Sequence, residues 1–122
     1  MKYCVNFILK DDKVLLLKRT ITNPFYPGIW TPVIGKIKTN EKPITAILRE
    51  TKEETNLDLK NPFFVKQCDL NNDEYWIYMS KIIIDNISLN HENDKFNFFE
   101  QKNLPKNLWG FFKTEINNIF SN

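Results

Sequence analysis

The sequence predicts a mixed α/β domain on three observations. β-rich apolar runs recur at residues 2–10, 13–19, 62–69 and 74–84. Two other stretches carry a helical period, one in mid-chain and one at the end. The order of these elements is not the regular βαβ alternation of a doubly wound fold.

Taken in order, KYCVNFILK (2–10) and KVLLLKR (13–19) flank Asp11-Asp12 and read as a hairpin. TITNPFYPG (20–28) holds two prolines and a glycine and reads as a loop. WTPVIGKI (30–37) reads as a short strand, weakened by Pro32 and ending near Gly35. A helix from about Pro43 to Thr55 follows, with Pro43 in the first turn, where a missing N–H costs nothing. Strands resume at 62–69 and 74–84, and Tyr75, Trp76 and Tyr78 alternate there as packing residues. A polar loop (85–94) leads to a short strand at 95–99, which Leu104-Pro105 stops. The final helix, near 106–119, sets Leu108, Trp109, Phe112, Ile116 and Ile119 on one face.

The 122 residues suffice for one domain over 1–122, without repeat or linker-like segment. At 42% hydrophobic and 26% charged, the chain has enough apolar surface for a core. A net charge of +2 with scattered lysines offers no basic face, which argues against a nucleic-acid or membrane-surface protein. No apolar run approaches the ~18 residues of a membrane span, and the N-terminus lacks the apolar block of a secretory signal. Cys4 and Cys68 lie in apolar stretches, match no metal-ligand spacing and read as reduced core thiols of a cytoplasmic protein. With His91 the sole histidine, zinc or Ser-His-Asp chemistry has little to work with. Carboxylates must carry the chemistry.

On the mid-chain helix, Ile44, Ile47, Leu48, Thr51 and Thr55 form one stripe at ~100° per residue. Glu50, Glu53 and Glu54 fall on a second face, away from the packing side. Glu50 and Glu54 are a like-charged i,i+4 pair, unfavourable alone and relieved by a hard divalent cation, which takes oxygen ligands. Arg49, four residues before Glu53, can hold a carboxylate in one orientation. RETKEE is also what an ordinary solvated, salt-bridged helix face looks like. The wider spacing tips the balance: Gly35, five residues, Glu41, seven residues, Arg49-Glu50-Thr51, one residue, Glu53-Glu54, one residue, Asn56-Leu57. Six fixed positions at average usage of ~0.07 each, over ~100 starting points, arise by chance on the order of 10⁻⁵ of the time.

This segment resembles the signature box of the Nudix hydrolases, and the likeness extends over most of the chain. The resemblance implies an α/β/α sandwich with a mixed β-sheet, a box helix and a C-terminal helix. It implies Mg²⁺ (or Mn²⁺) as cofactor and hydrolysis of a nucleoside diphosphate linked to another group. It makes Glu50, Glu53 and Glu54 metal ligands, with Glu50 alternatively the general base. Arg49 then orients the glutamates, Glu41 braces the loop through Arg49, Gly35 gives a sharp turn, and the Ile34 carbonyl is a further ligand. Two positions depart from the pattern: Thr51 replaces an aliphatic residue and Asn56 a helix-ending glycine, which asparagine can stand in for.

Outside the box, Glu92 lies six before the aromatic Phe98, as does an acid in the family's later stretch, and is the candidate extra ligand or base. Asp94 and Glu100 are fallbacks, and a solvated loop glutamate is the plain alternative. Arg19 resembles a residue that contacts substrate phosphate. Phe25, Tyr26 and Trp30 flank the loop and are candidates to stack on a base or pterin ring, core packing being their ordinary role. His91 beside Glu92 is expected to face solvent. Trp30-Thr31-Pro32-Val33-Ile34-Gly35 looks like the branch that includes bacterial dihydroneopterin triphosphate pyrophosphatase. The substrate implied is a nucleoside or pterin triphosphate. An oxidised dGTP, a dinucleoside polyphosphate, a nucleotide sugar and a non-catalytic binding module stay open.

Overall fold

The computed structural model describes residues 1–121. Among them the elements are β1 (Lys2–Lys10), β2 (Lys13–Arg19), β3 (Trp30–Thr31), β4 (Val33–Lys36), α1 (Pro43–Thr55), β5 (Phe63–Leu70), β6 (Asp73–Lys81), β7 (Asn93–Glu100), a 3₁₀ turn (Gln101–Asn103) and α2 (Gly110–Phe120). β1 and β2 form the expected antiparallel hairpin, paired at Leu9↔Val14 and Lys10↔Lys13. Asp11 closes it with φ 56°, a left-handed conformation that its short polar side chain tolerates.

Beyond those pairs the two strands splay, and residues 30–36 enter the fork. β3 pairs with β2 (Leu17↔Thr31) and β4 with β1 (Cys4↔Gly35). The single strand expected at 30–37 is therefore two. Pro32, with no N–H for a ladder, stands where the segment changes partner. β6 runs parallel to β1 from Lys2↔Glu74 to Leu9↔Lys81, and β5 pairs antiparallel with β6 at the sheet's edge. β7 runs antiparallel to β2, with a bulge between Lys18 and Arg19 that sets Arg19 opposite Asn93.

Strand alternation divides the core in two. Val5, Phe7, Val14 and Leu16 meet Phe112 and Ile116 of α2, while Cys4, Ile8, Leu15 and Leu17 meet Ala46 and Ile47 of α1. Helices thus cover both faces of a mixed sheet, the α/β/α sandwich that the resemblance implied. Buried on both sides, β1 reads as a near-continuous apolar run. Cys4 and Cys68 are free thiols, Cys4 buried and Cys68 half-buried.

Three boundaries differ from expectation by two residues or more. β6 stops at Lys81, where its partner β1 runs out, leaving Ile83 and Ile84 91% and 77% exposed. β7 begins two residues early, at Asn93. α2 begins at Gly110, so Leu108 and Trp109 precede it, although both still pack on the same core as Phe112. No helix among the described residues is long and apolar enough to cross a membrane.

Candidate active site

α1 carries most of the expected residues and is held firmly at both ends. Pro43 occupies its first turn, and Asn56 closes it at φ 66° and ψ 13°, its N–H donating to the Lys52 carbonyl at 2.9 Å. Asparagine thus adopts the left-handed cap that glycine usually supplies. Arg49 ties the preceding loop to the helix. Its Nε and Nη2 donate to the two carboxylate oxygens of Glu41, both at 2.9 Å, and Nη2 also reaches the Lys36 carbonyl at 3.0 Å. Nη1 donates to Glu50 Oε1 at 2.8 Å and lies 3.3 Å from Glu53 Oε2. Hydrogen bonds from Arg49 hold the Glu41 carboxyl down at about 2, and Glu41 in turn raises the Arg49 guanidinium.

The three helix carboxylates do not share one exposed face, which corrects the sequence reading. The buried residues of α1 are Ala46, Ile47, Glu50, Thr51, Glu54 and Thr55, while Ile44 is 37% exposed. Helical periodicity located the aliphatic stripe, but the buried arc is displaced toward the glutamates. Glu54 is fully buried, Glu50 nearly so, and the Glu53 side chain is half-exposed beside Arg49. Burial pushes the Glu50 carboxyl up despite the opposing pull of Arg49. Burial first, then the charge of Glu50, pushes Glu54 well above the ordinary carboxylate value.

Gly35 explains how Glu50 fits. A Cβ at that position would overlap the Glu50 carboxyl group, so the side chain lies directly on the glycine backbone. The expectation for Gly35 was a sharp turn; what the geometry uses is the missing side chain. Thr51 also departs from expectation. Its hydroxyl accepts from Asn6 Nδ2 at 3.2 Å, and Asn6 Oδ1 accepts from Ser80 at 3.0 Å, a buried polar chain that sequence reading missed.

Glu50, Ile34, Gly35, Arg19, Phe25 and Glu92 line one cleft of about 480 Å³, which Glu53 and Glu54 do not line. Arg19 is 4% exposed, with Nε donating to the Phe25 carbonyl at 2.6 Å and Nη2 3.8 Å from Glu92 Oε2. Arg19 and Glu92 also both act electrostatically on Glu54, which places β2 and the loop before β7 beside the helix acids. Phe25 packs on Tyr3 at 5.6 Å and on Tyr26 at 4.5 Å. Tyr3 and Asn23 line the cleft and were missed. Asn23 accepts from the Phe25 N–H at 2.9 Å and donates to the Glu92 carbonyl at 3.2 Å. The Asn-Pro dipeptide in TITNPF signalled this side-chain turn.

Several candidates lie elsewhere. Trp30 does not line the cleft; it meets Phe99 edge-on at 5.0 Å and bridges to Leu108, because β3 carries it to the α2 face. Tyr26 packs on Trp109 at 5.7 Å. His91 and Asp94 are exposed, and Glu100 sits at the far end of β7, roughly 24 Å along the strand.

Among the described residues no three acidic, histidine or cysteine side chains are already gathered to hold an ion. The donor set nevertheless fits a hard cation. Both carboxyl oxygens of Glu54 are buried and receive no donor; with Glu50 close enough to share a proton, ionising both carboxyls is costly, and a divalent ion would relieve that cost.

Comparison with known proteins gives the family and the fold. The model of the NUDIX domain family matches residues 2–111. Among solved structures, a MutT NUDIX hydrolase from Burkholderia pseudomallei superposes with a TM-score of 0.82 at 20% identity, over 97% of this chain and 96% of that one. An Ap4A hydrolase from C. elegans gives 0.76 at 21% identity, over 98% and 96%. An ADP-ribose pyrophosphatase from Streptococcus suis gives 0.81 at 18%, over 98% and 89%. At these identities the likeness is one of fold. No curated protein matches in sequence.

Proposed function

We propose, from the premise that the chain belongs to the NUDIX domain family, that it is a Mg²⁺-dependent pyrophosphohydrolase. Hydrolysis of a phosphoanhydride, with divalent metals, is the chemistry of that family. The reading here is narrower: a nucleoside or pterin triphosphate is cut to its monophosphate and pyrophosphate. The observation that carries it is the buried Glu54 carboxyl, which no donor reaches and on which the charges of Glu50, Arg19 and Glu92 act, the last three all lining one cleft.

Glu50 and Glu54 would hold the ion, with Glu53, Glu92 and the Ile34 carbonyl as further ligands. When bound, the cation neutralises charge on the phosphate oxygens. Arg19, which lines the cleft, binds a phosphate oxygen. Phe25 and Tyr3 give the organic part of the substrate an aromatic wall. Water oxygen bonds to phosphorus as the bridging P–O bond breaks. The water's proton passes to a carboxylate, Glu50 or Glu92, both of which line the cleft.

The test is pyrophosphate release, with and without Mg²⁺, from a panel of canonical and oxidised dNTPs and dihydroneopterin triphosphate. Dinucleoside polyphosphates and ADP-ribose, named by two of the structural neighbours, belong in the same panel and would redirect the substrate assignment. The parent should hydrolyse at least one triphosphate only with the metal. Glu53→Gln should lose about 100-fold or more in kcat/KM. Equal rates in the two proteins would remove the catalytic assignment.

A further inference from the structure

Buried polar groups are nearly always partnered, so the exceptions ask for a reason. Among the described residues the unpartnered buried side-chain atoms are Arg19 Nη1, Thr31 Oγ1, both oxygens of Glu54, and both Oδ1 and Nδ2 of Asn93. Glu54 and Arg19 belong to the proposed site. Asn93 does not: it is absent from the box, does not line the cleft and is 3% exposed.

Its position is nonetheless specific. The bulge between Lys18 and Arg19 sets Asn93 opposite Arg19 on the neighbouring strand, and directly opposed side chains stand on the same face about 5 Å apart at Cβ. Strand alternation places that face: Leu15 and Leu17 on β2 pack on the α1 core, so Arg19 points the same way. Asn93 also follows Glu92 directly in the chain. The amide therefore stands opposite Arg19, whose charge acts on Glu54, with its Nδ2 and its Oδ1 both unused.

The idle groups complement one another. Arg19 Nη1 can only donate, the Glu54 oxygens accept once ionised, and a carboxamide does both. We infer that Asn93 is a positioning residue of the site: its Oδ1 accepts a hydrogen bond from Arg19 Nη1 and its Nδ2 donates to Glu54, directly or through a bound water, when Glu54 faces a cation. The amide thereby links the group that grips phosphate to the carboxylate that grips metal. A neutral side chain suits this place, since a further carboxylate would add repulsion beside Glu54 and Glu92.

The inference rests on the functional reading above, and the experiment separates the two. Mn²⁺ binding without substrate is measured by electron paramagnetic resonance titration, alongside melting temperature and kcat/KM, for the parent, Asn93→Leu and Asn93→Ala. The leucine variant removes both idle polar atoms from a buried place, so it should melt no lower than the parent. Its Mn²⁺ dissociation constant should nevertheless rise about 10-fold or more, the usual effect of removing a residue that orients a ligand. Asn93→Ala, which leaves room for water, should weaken Mn²⁺ less than leucine does. Unchanged Mn²⁺ affinity and kcat/KM in a folded leucine or alanine variant of an active parent would overturn the role of Asn93 alone. A parent that neither binds Mn²⁺ nor hydrolyses any triphosphate would overturn the functional reading and this inference with it.

Discussion

Substitution of Gly35 by alanine tests the central geometry, because it changes no charged group. The new methyl would occupy the place of the Glu50 carboxyl carbon. Carbon atoms rest about 3.5–4.0 Å apart, so one of the two must retreat by more than about 1 Å. Glu50 can yield more readily than a strand paired to β1, but it does so at the expense of its 2.8 Å contact with Arg49. Overpacking of this kind costs about 1–3 kcal/mol, and the lower end applies where a side chain gives way. For a chain of this length that lowers the melting temperature by about 3–5 °C. A displacement of about 1 Å at a reacting group costs about 100-fold in rate. Gly35→Ala should therefore lose about 100-fold in kcat/KM while remaining folded, read by pyrophosphate release and by thermal melting. A double-mutant cycle sharpens the test. With Glu50→Ala already in place the methyl has room, so Gly35→Ala should add almost nothing, a coupling of about 2.7 kcal/mol. Activity within threefold of the parent, or additive losses in the cycle, would refute the claim that Gly35 is there to seat Glu50.

The remaining predictions concern charge and packing. Glu54 has a raised value in the folded protein, so the folded chain binds the extra proton, and the stability this brings is complete below the ordinary value of 4.5 and is lost as pH rises through the raised one. Metal-free protein should thus melt lower as pH rises above 4.5, Glu54→Gln should flatten that slope, and Mg²⁺ should restore the parent; equal slopes in parent and variant would exclude Glu54 as its source. Glu92→Gln should cut kcat about 100-fold or more if the carboxylate accepts a proton, yet shift the melting temperature little, since a 3.8 Å ion pair with a one-third exposed partner contributes little. An unchanged rate hands the role to Glu50. Thr51→Val, which restores an aliphatic residue, should destabilise by about 1–3 kcal/mol, because it strands the buried Asn6 amide. Denaturant melts that show no loss would mean Asn6 finds another partner.

Much of the fold was legible because its signals are local. Pro43 and Asn56 mark the ends of α1 in residue chemistry alone, and Asp11-Asp12 marks the hairpin. The split of 30–37 was half legible. Pro32 weakens a strand in any context, but that the segment enters a fork and changes partner depends on two strands far away in sequence. The end of β6 was not legible at all. Ile82, Ile83 and Ile84 carry strong β preference, yet a strand lasts only as long as its neighbour, and β1 ends at Lys10.

The site divides along the same line. Its charged residues could be named because their spacing is fixed along one chain segment, and the Arg49–Glu41 pair follows from that spacing. Burial could not be named, since a polar letter carries no sign of which side of a helix meets the sheet. Helical periodicity assigned Glu50, Glu53 and Glu54 to one outer face, whereas the fold sinks Glu54 completely and leaves Glu53 half in solvent. This difference matters chemically. Three exposed glutamates would be hydrated and only loosely disposed toward a cation. A buried carboxyl that receives no donor is costly to ionise in the free protein, and a cation offsets that cost. Arg49 braces the acids nearer the surface, leaving Glu54 as the group with the most to gain. Stability given up at Glu54 is thus the physical source of affinity at the site, and it is set by the packing of α1 on the sheet rather than by the box alone.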